Sequence, residues 1–337
     1  MNAKMNFFPV SHSTLLPAAI AKFVNENYLL AVTISARILK TGINDTYLIT
    51  ADAQKFIFRV YHLNWRTEAE IEEEIRLLLL LKDKAIPVSF PIADRQSRFI
   101  QQLAAPEGTR YGVLFSFAQG EKMLNFSASL HYKAGCLMAG LHQVTQDLPL
   151  ARVQYNQDIL MVDSLKKLGR FLPAGTAEMK YMKALQGHLL ELFNNAPAAG
   201  LRKGVVHLDI WFDNFVIDEN DTITLFDFDF CGTGWLLFDV AYYILQLYST
   251  EKDPDEFELK KASFLQGYQS ITAISQEEQQ LIPAAGAGIY FFYLGVQSER
   301  YDDWSNSFLN EIYLKRFINL LIKKWVNFHN MAIVAAN

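Results

Sequence analysis

The chain has 337 residues, of which 51% are hydrophobic and 13% aromatic, a composition that supplies a sizeable packed core and excludes a disordered polymer. A net charge of −5 and a sequence pI near 5.8 exclude the strongly basic face that general nucleic-acid binding requires. Cys136 and Cys231 lie far apart in apolar surroundings and are expected as buried free thiols in a reducing compartment. The N-terminal segment lacks the basic and apolar regions of a secretory signal. The longest apolar stretch, 282–296, contains Pro283 and falls short of the roughly 20 residues of a membrane span. A cytoplasmic enzyme with neither a nucleic-acid nor a membrane partner is the expectation.

Taken in order, residues 13–27 have helical spacing with an early proline suited to a first turn. Residues 29–38 and 46–50 read as strands around the turn-forming run 40–45. A third strand, 54–61, alternates: Phe56, Phe58 and Val60 share one face, while Ile57, Arg59 and Tyr61 share the other. An arginine in mid-strand needs a partner if buried, and the next element is rich in glutamate. That element, 67–84, reads as a helix with Thr67 and Glu70 spaced as a capping box. Glu68, Glu70, Glu72, Glu73 and Glu74 crowd its first turns, which suits the helix dipole. Strand-like runs at 97–103 and 110–117 follow, and the chain then passes through Ser116-Phe117-Ala118 to Gly120. A domain boundary falls there, giving an N-terminal unit 1–118 and a C-terminal unit 119–337.

The second unit opens with a helix at 127–145 whose apolar face is Leu130, Ala134, Leu137 and Leu141. Helical patterns recur around 157–170 and 176–195, then at 235–248, 255–271, 276–296 and 308–329. Between them lies the densest stretch of polar chemistry. His207-x-Asp209 follows the β-type run 204–206, and Asn214 comes five residues after Asp209. Runs at 215–217 and 223–226 flank a turn rich in Asp and Asn, which reads as a hairpin. Asp227-Phe228-Asp229 follows, and Asp239 lies in the apolar segment beyond. Carboxylates at strand ends beside an asparagine suit Mg²⁺, a hard cation that takes oxygen ligands.

The order His207-x-Asp209, Asn214, Asp227-Phe228-Asp229, Asp239 resembles the catalytic loop and metal motif of the aminoglycoside phosphotransferase superfamily. The runs FIFRVY, EIEEEIRLL and FDFDFCGTGW are most similar to its homoserine-kinase-type branch. The resemblance implies an α+β, protein-kinase-like two-lobed fold, with an N-terminal nucleotide-binding lobe of antiparallel sheet plus helix and a mainly helical C-terminal catalytic lobe. It implies ATP and Mg²⁺ as cofactors and transfer of phosphate to a hydroxyl. Asp209 would orient the acceptor and take its proton, and Asn214 and Asp227 would hold Mg²⁺. Arg59, standing where the superfamily commonly has lysine, would bind phosphates braced by Glu74, thirteen residues before Pro87 at the helix exit. Asn44 and Thr46, with Asp45, match small polar residues over the phosphates; the main chain of Ser116, Phe117 and Ala118 matches an adenine-contacting hinge. His207 and Asp239 would support the loop, as would His142, and Asp229 would be an outer ligand. Leu208 stands where the superfamily usually has glycine.

The resemblance leaves the acceptor open. A small molecule such as an amino alcohol, an amino acid or an aminoglycoside is one class, for which Asp213, Glu299, Asp302 and Asp303 are candidate cation contacts and Trp211 or Trp235 an aromatic face. A bacterial Ser/Thr protein kinase of the stress-response type shares the same core motifs. A non-catalytic binding protein on the same fold is disfavoured by the retained Asp209, Asn214 and Asp227. Oligomeric state is not encoded in any of these motifs.

Overall fold

The structure is a computed structural model describing residues 8–30, 33–197, 200–302, 308–331 and 333. The chain forms two compact units: residues to Asp83 with Val88–Ala118, and Lys84–Pro87 with the residues from Gln119 onward.

The first unit is built on strands β1 (Ile34–Lys40), β2 (Asn44–Ala51), β3 (Gln54–Tyr61), β4 (Pro91–Ile92), β5 (Ile100–Ala105) and β6 (Gly108–Ser116). They form one sheet in the order β1-β2-β3-β6-β4, with β5 also paired to β6. Alternation divides the sheet's chemistry. Tyr47, Ile49, Phe58, Val60 and Leu114 pack with Ile20, Val24 and Tyr28 in one core cluster, the last three contributed by helix α1 (Pro17–Asn27) and its C-cap. Arg59 and Tyr61 point the other way, toward helix α2 (Glu68–Asp83). The capping box of α2 forms as read: Glu70 N–H donates to Thr67 Oγ1 and Thr67 N–H to Glu70 Oε2. β2 begins at Asn44, earlier than expected, so the turn before it is short. β1 begins at Ile34 rather than at 29, and residues 31 and 32 of that expected strand lie outside the described residues. The expected strand at 97–103 starts only at Ile100, because Asp94 accepts the N–H groups of Gln96 and Arg98 and turns the chain there.

The second unit is mainly helical. Helix α3 (Ala128–Thr145) packs along α7 (Pro254–Gln269) at backbone contact distance. A Cβ at Gly135 would meet Phe264 O at 2.1 Å and one at Gly267 would meet Tyr132 O at 2.0 Å, so both positions require glycine. A π-helical turn at Asp158–Asp163 leads into α4 (Ser164–Leu168), followed by α5 (Ala177–Asn195). Two small antiparallel pairs then frame the polar stretch: β7 (Lys203–Val206) with β10 (Gly232–Trp235), and β8 (Phe215–Ile217) with β9 (Ile223–Leu225). The expected helix at 235 therefore starts later, as α6 (Leu237–Thr250), because Gly232–Trp235 completes a ribbon with β7.

Helix α8 (Gln276–Glu299) is 24 residues long and apolar enough to cross a membrane, longer than the apolar run alone suggests. Its apolar window is 78% buried within the fold. Trp325 lies against Gly286 and donates its Nε1–H to Pro283 O. Helix α9 (Glu311–Phe317) continues through a π-turn at Ile318–Ile322 into α10 (Lys323–Phe328). Cys231 is a buried free thiol; Cys136 is also free but only partly buried, its Sγ near Gly267 O and Ser270 Oγ.

Candidate active site

In the first unit, Glu74 is the member of the acidic run that turns inward. It shares the buried stripe of Ile71, Leu77, Leu78 and Leu81, while the run's other glutamates stay outside it. Arg59 Nη1 donates to Glu74 Oε1 at 2.9 Å and Tyr61 OH donates to Oε2 at 3.2 Å. The guanidinium lies over the rings of Phe115 and Tyr61, at 4.9 and 5.7 Å from their centroids. Thr46 is the cross-strand partner of Arg59 and Asn44 that of Tyr61, so both share the arginine's face of the sheet. Asp45, between them, faces the opposite side and pairs with the fully buried Arg110 at 2.9 Å. Burial raises the Asp45 pKa, but hydrogen bonds from His62 and Arg110 outweigh it and hold the carboxyl below its usual value. Asp45 is thus a structural ion-pair residue. Ser116 is also committed within the unit: its N–H donates to Phe90 O, its Oγ accepts from Phe90 N–H, and its carbonyl accepts from Ser89 Oγ. The adenine contact expected of the Ser116 main chain is thus already taken up by Phe90 and Ser89.

In the second unit, the loop after β7 is organised around Asp209, which is half-buried. Asn214 Nδ2 donates both to Asp209 Oδ2 at 2.6 Å and to its carbonyl oxygen at 2.8 Å. The OH of Tyr242, on α6, donates to Asp209 Oδ1 at 2.6 Å. His207 is fully buried, accepts Asp209 N–H on Nδ1 at 3.2 Å and donates from Nε2 to Phe226 O at 3.1 Å. Both ring nitrogens are therefore engaged in tying this loop to the segment that leads into Asp227.

Leu208 adopts φ 56°, a left-handed conformation that costs a branched side chain about 1–2 kcal/mol. The glycine usual at this position is explained by that angle. What holds the leucine there is Asp239, fully buried on α6, which accepts Leu208 N–H on Oδ1 and His207 N–H on Oδ2, each at 2.8 Å. His142 Nε2 lies 3.1 Å from the same Oδ2, its Nδ1 2.7 Å from Tyr268 OH, and Tyr268 OH 3.3 Å from Arg202 Nη2. Donor directions agree along this line if Arg202 donates to Tyr268, Tyr268 to His142 and His142 to Asp239. The leucine side chain is itself buried. Truncating it to alanine costs about 2–4 kcal/mol of packing and leaves the strain. Leu208→Gly removes more side chain but also the strain, so it is expected to be no less stable than Leu208→Ala in urea denaturation. A glycine variant weaker than alanine by more than about 1 kcal/mol would contradict the strain.

Asp227 is also left-handed, at φ 65°, a conformation an aspartate tolerates more readily than leucine. Asp229 is buried and its carbonyl accepts Arg152 Nη2 at 2.6 Å. Among the described residues no group of three or more His, Cys, Asp or Glu is placed to hold a metal ion. The expected pair, Asn214 and Asp227, is of the sparse kind that Mg²⁺ accepts when substrate phosphates complete its shell. Asn214 spends its NH₂ on Asp209, so its amide oxygen remains as the metal-capable atom. Of the candidate cation contacts, Asp213 pairs with Lys122, Glu299 with Lys167 and Asp302 with Arg170, at 2.8, 2.8 and 3.1 Å. Asp303 lies outside the described residues. Trp235 is stacked on Phe193, whereas Trp211 sits edge-on to Phe212 in the Asp209 loop. Sequence reasoning missed Tyr242; its only signal is that it follows Asp239 by three positions, on one helical face.

The profile of the phosphotransferase enzyme family matches residues 36–274, and the chain belongs to that family. It is a kinase of the protein-kinase-like α+β fold. An uncharacterized protein of Synechocystis is 31% identical over 318 residues, covering 92% of this chain and 85% of that protein. A homoserine kinase of Neisseria meningitidis serogroup B is 23% identical, covering 77% of this chain and 81% of the relative. Among solved structures, a microcompartment-associated aminopropanol kinase superposes with a TM-score of 0.75 at 20% identity, covering 94% of this chain and all of that one. An amicoumacin kinase bound to AMP-PNP and Ca²⁺ gives 0.75 at 17% identity, covering 95% of each chain.

Proposed function

We propose that the chain is an ATP- and Mg²⁺-dependent kinase that phosphorylates the hydroxyl of a small amino alcohol or hydroxy amino acid. The observation that carries this is the Asp209 carboxylate, oriented by 2.6 Å hydrogen bonds to both oxygens on a loop that ends in Asn214. The acceptor oxygen attacks the γ-phosphorus, the bond to the bridging oxygen of ADP breaks, and the acceptor proton passes to Asp209. Mg²⁺, held by Asn214 and Asp227, would supply charge neutralisation on the phosphates. Arg59 holds phosphate oxygens through its planar fork and is kept in place by Glu74. Phe117 and Ala118 offer main-chain groups to the adenine.

The homoserine kinases and the aminopropanol kinase among the relatives support a small acceptor carrying an amine. The test is ADP release by the purified protein with MgATP and homoserine, aminopropanol, other amino alcohols or an aminoglycoside. Absence of acceptor-dependent ADP release with every one of these acceptors would overturn the proposal.

The buried Arg59–Glu74 pair gives a further expectation. Glu74→Gln removes the carboxylate charge that faces the arginine in a buried setting, where breaking such a pair costs about 3–5 kcal/mol. We expect a lower thermal midpoint and a KM for ATP raised at least about tenfold, the latter corresponding to about 1.4 kcal/mol of lost phosphate contact. Steady-state kinetics at fixed acceptor reads it; an unchanged KM would show that Arg59 does not touch the nucleotide.

A further inference from the structure

Asp209 sits on a loop, and a carboxylate turns broadly about its last side-chain torsion. The 2.6 Å bond from Asn214 pins Oδ2, but Asn214 belongs to the same loop and moves with it. The second pin comes from elsewhere. Tyr242 lies on α6, which is buried along most of its length, and its OH reaches Oδ1 at 2.6 Å, within the range of charge-assisted O–H···O⁻ bonds. One turn earlier on the same helix, Asp239 holds the loop's backbone at His207 and Leu208. A single helix thus fixes both the main chain of the loop and the plane of its carboxylate.

We infer that Tyr242 is a positioning residue for phosphoryl transfer: its hydroxyl locks the Asp209 carboxylate plane in the orientation that meets the acceptor hydroxyl. The inference rests on the reading of Asp209 as the group that takes the acceptor's proton. An ionised carboxylate offers about four lone-pair directions, so accepting from Tyr242 and Asn214 is compatible with its taking that proton. Burial, and then the charge of Asp209, raise the Tyr242 pKa well above its ordinary value, so the tyrosine keeps its proton and remains a donor. Asp209 is half-buried, so water can replace a lost hydroxyl and preserve the fold without preserving the orientation.

The neighbouring Tyr243 provides the matched control. It is equally buried on α6, but its OH meets His131 Nδ1 at 2.8 Å, away from the loop carboxylate. The experiment compares wild type, Tyr242→Phe, Tyr243→Phe, Asp209→Asn and the Asp209→Asn/Tyr242→Phe double variant of the full chain, with MgATP and homoserine or aminopropanol, whichever is turned over. Tyr242→Phe should lose about 10- to 100-fold in kcat, the value of one hydrogen bond to a charged group, with KM for ATP unchanged. Tyr243→Phe should keep wild-type kcat at a similar thermal midpoint. In the Asp209→Asn background, removing the Tyr242 hydroxyl should have no further effect, because it acts through the carboxylate. Wild-type kcat in Tyr242→Phe alongside an inactive Asp209→Asn overturns this inference alone. Equal losses in both tyrosine variants, or a full further loss in the double variant, also overturn it. Near-wild-type activity in Asp209→Asn, or a wild-type chain inert with every acceptor, overturns the functional proposal beneath it.

Discussion

Asp209→Asn is expected to lower acceptor phosphorylation by about 10²–10⁴-fold, the usual worth of a positioned general base, while MgATP binds with nearly unchanged affinity. The substitution keeps the size of the side chain and removes its ability to take a proton. It also creates a mismatch: two donors, Asn214 Nδ2 and Tyr242 OH, converge on the two carboxylate oxygens. An asparagine can offer its oxygen to one of them and must turn its own NH₂ toward the other. The variant should therefore lose chemistry and orientation together. Because both matter only as the acceptor reacts, kcat and kcat/KM should fall by the same factor. Single-turnover transfer from labelled ATP measures the loss in the chemical step, and calorimetric titration of nucleotide measures the retained MgATP affinity. Activity within tenfold of wild type would assign the proton to another group or to solvent.

Parts of this site are legible in the chain because they are local. The capping box at Thr67 and Glu70 forms as spaced. Glu74, expected from its spacing to Pro87 under the family resemblance, falls in the buried stripe with Ile71 and Leu78. The order of His207, Asp209, Asn214 and Asp227 surrounds a hairpin that forms at β8 and β9. The remainder depends on contacts between residues distant in sequence. Asp45 reads as one polar residue among three, but the register of β2 turns it away from Asn44 and Thr46 toward Arg110, 65 residues on. Ser116 loses its main-chain groups to Ser89 and Phe90 across the strand end. Trp235 reads as a helix start, but β10 needs a strand partner and finds it in β7. Leu208 reads as a departure from glycine; only the pairing of its N–H with Asp239, 31 residues later, explains how a leucine is kept left-handed.

That last contact carries the largest expected structural effect. Asp239 is fully buried and satisfies the N–H groups of His207 and Leu208 and the ring of His142. Asp239→Leu, which keeps the branching at Cγ but replaces both oxygens with bulkier methyl groups, leaves those donors buried with nothing to accept them, and each orphan costs about 1–3 kcal/mol. The same change removes what opposes the left-handed strain of Leu208. The second unit should lose about 3–5 kcal/mol, the range for deleting one partner of a buried polar pair, and its thermal midpoint should fall by about 10 °C for a domain of this size. Activity should fall as well, because the backbone that carries Asp209 is no longer fixed. Asp239→Asn should be intermediate, since its amide oxygen still accepts one N–H while its NH₂ faces the other. Hydrogen exchange separates this from a general loss of stability. The amides of His207 and Leu208 should lose protection in both variants under conditions where those of α3 and α7 keep theirs. Retained protection at His207 and Leu208, with a wild-type midpoint, would mean that β7 and β10 alone hold the loop and that Asp239 is dispensable to it.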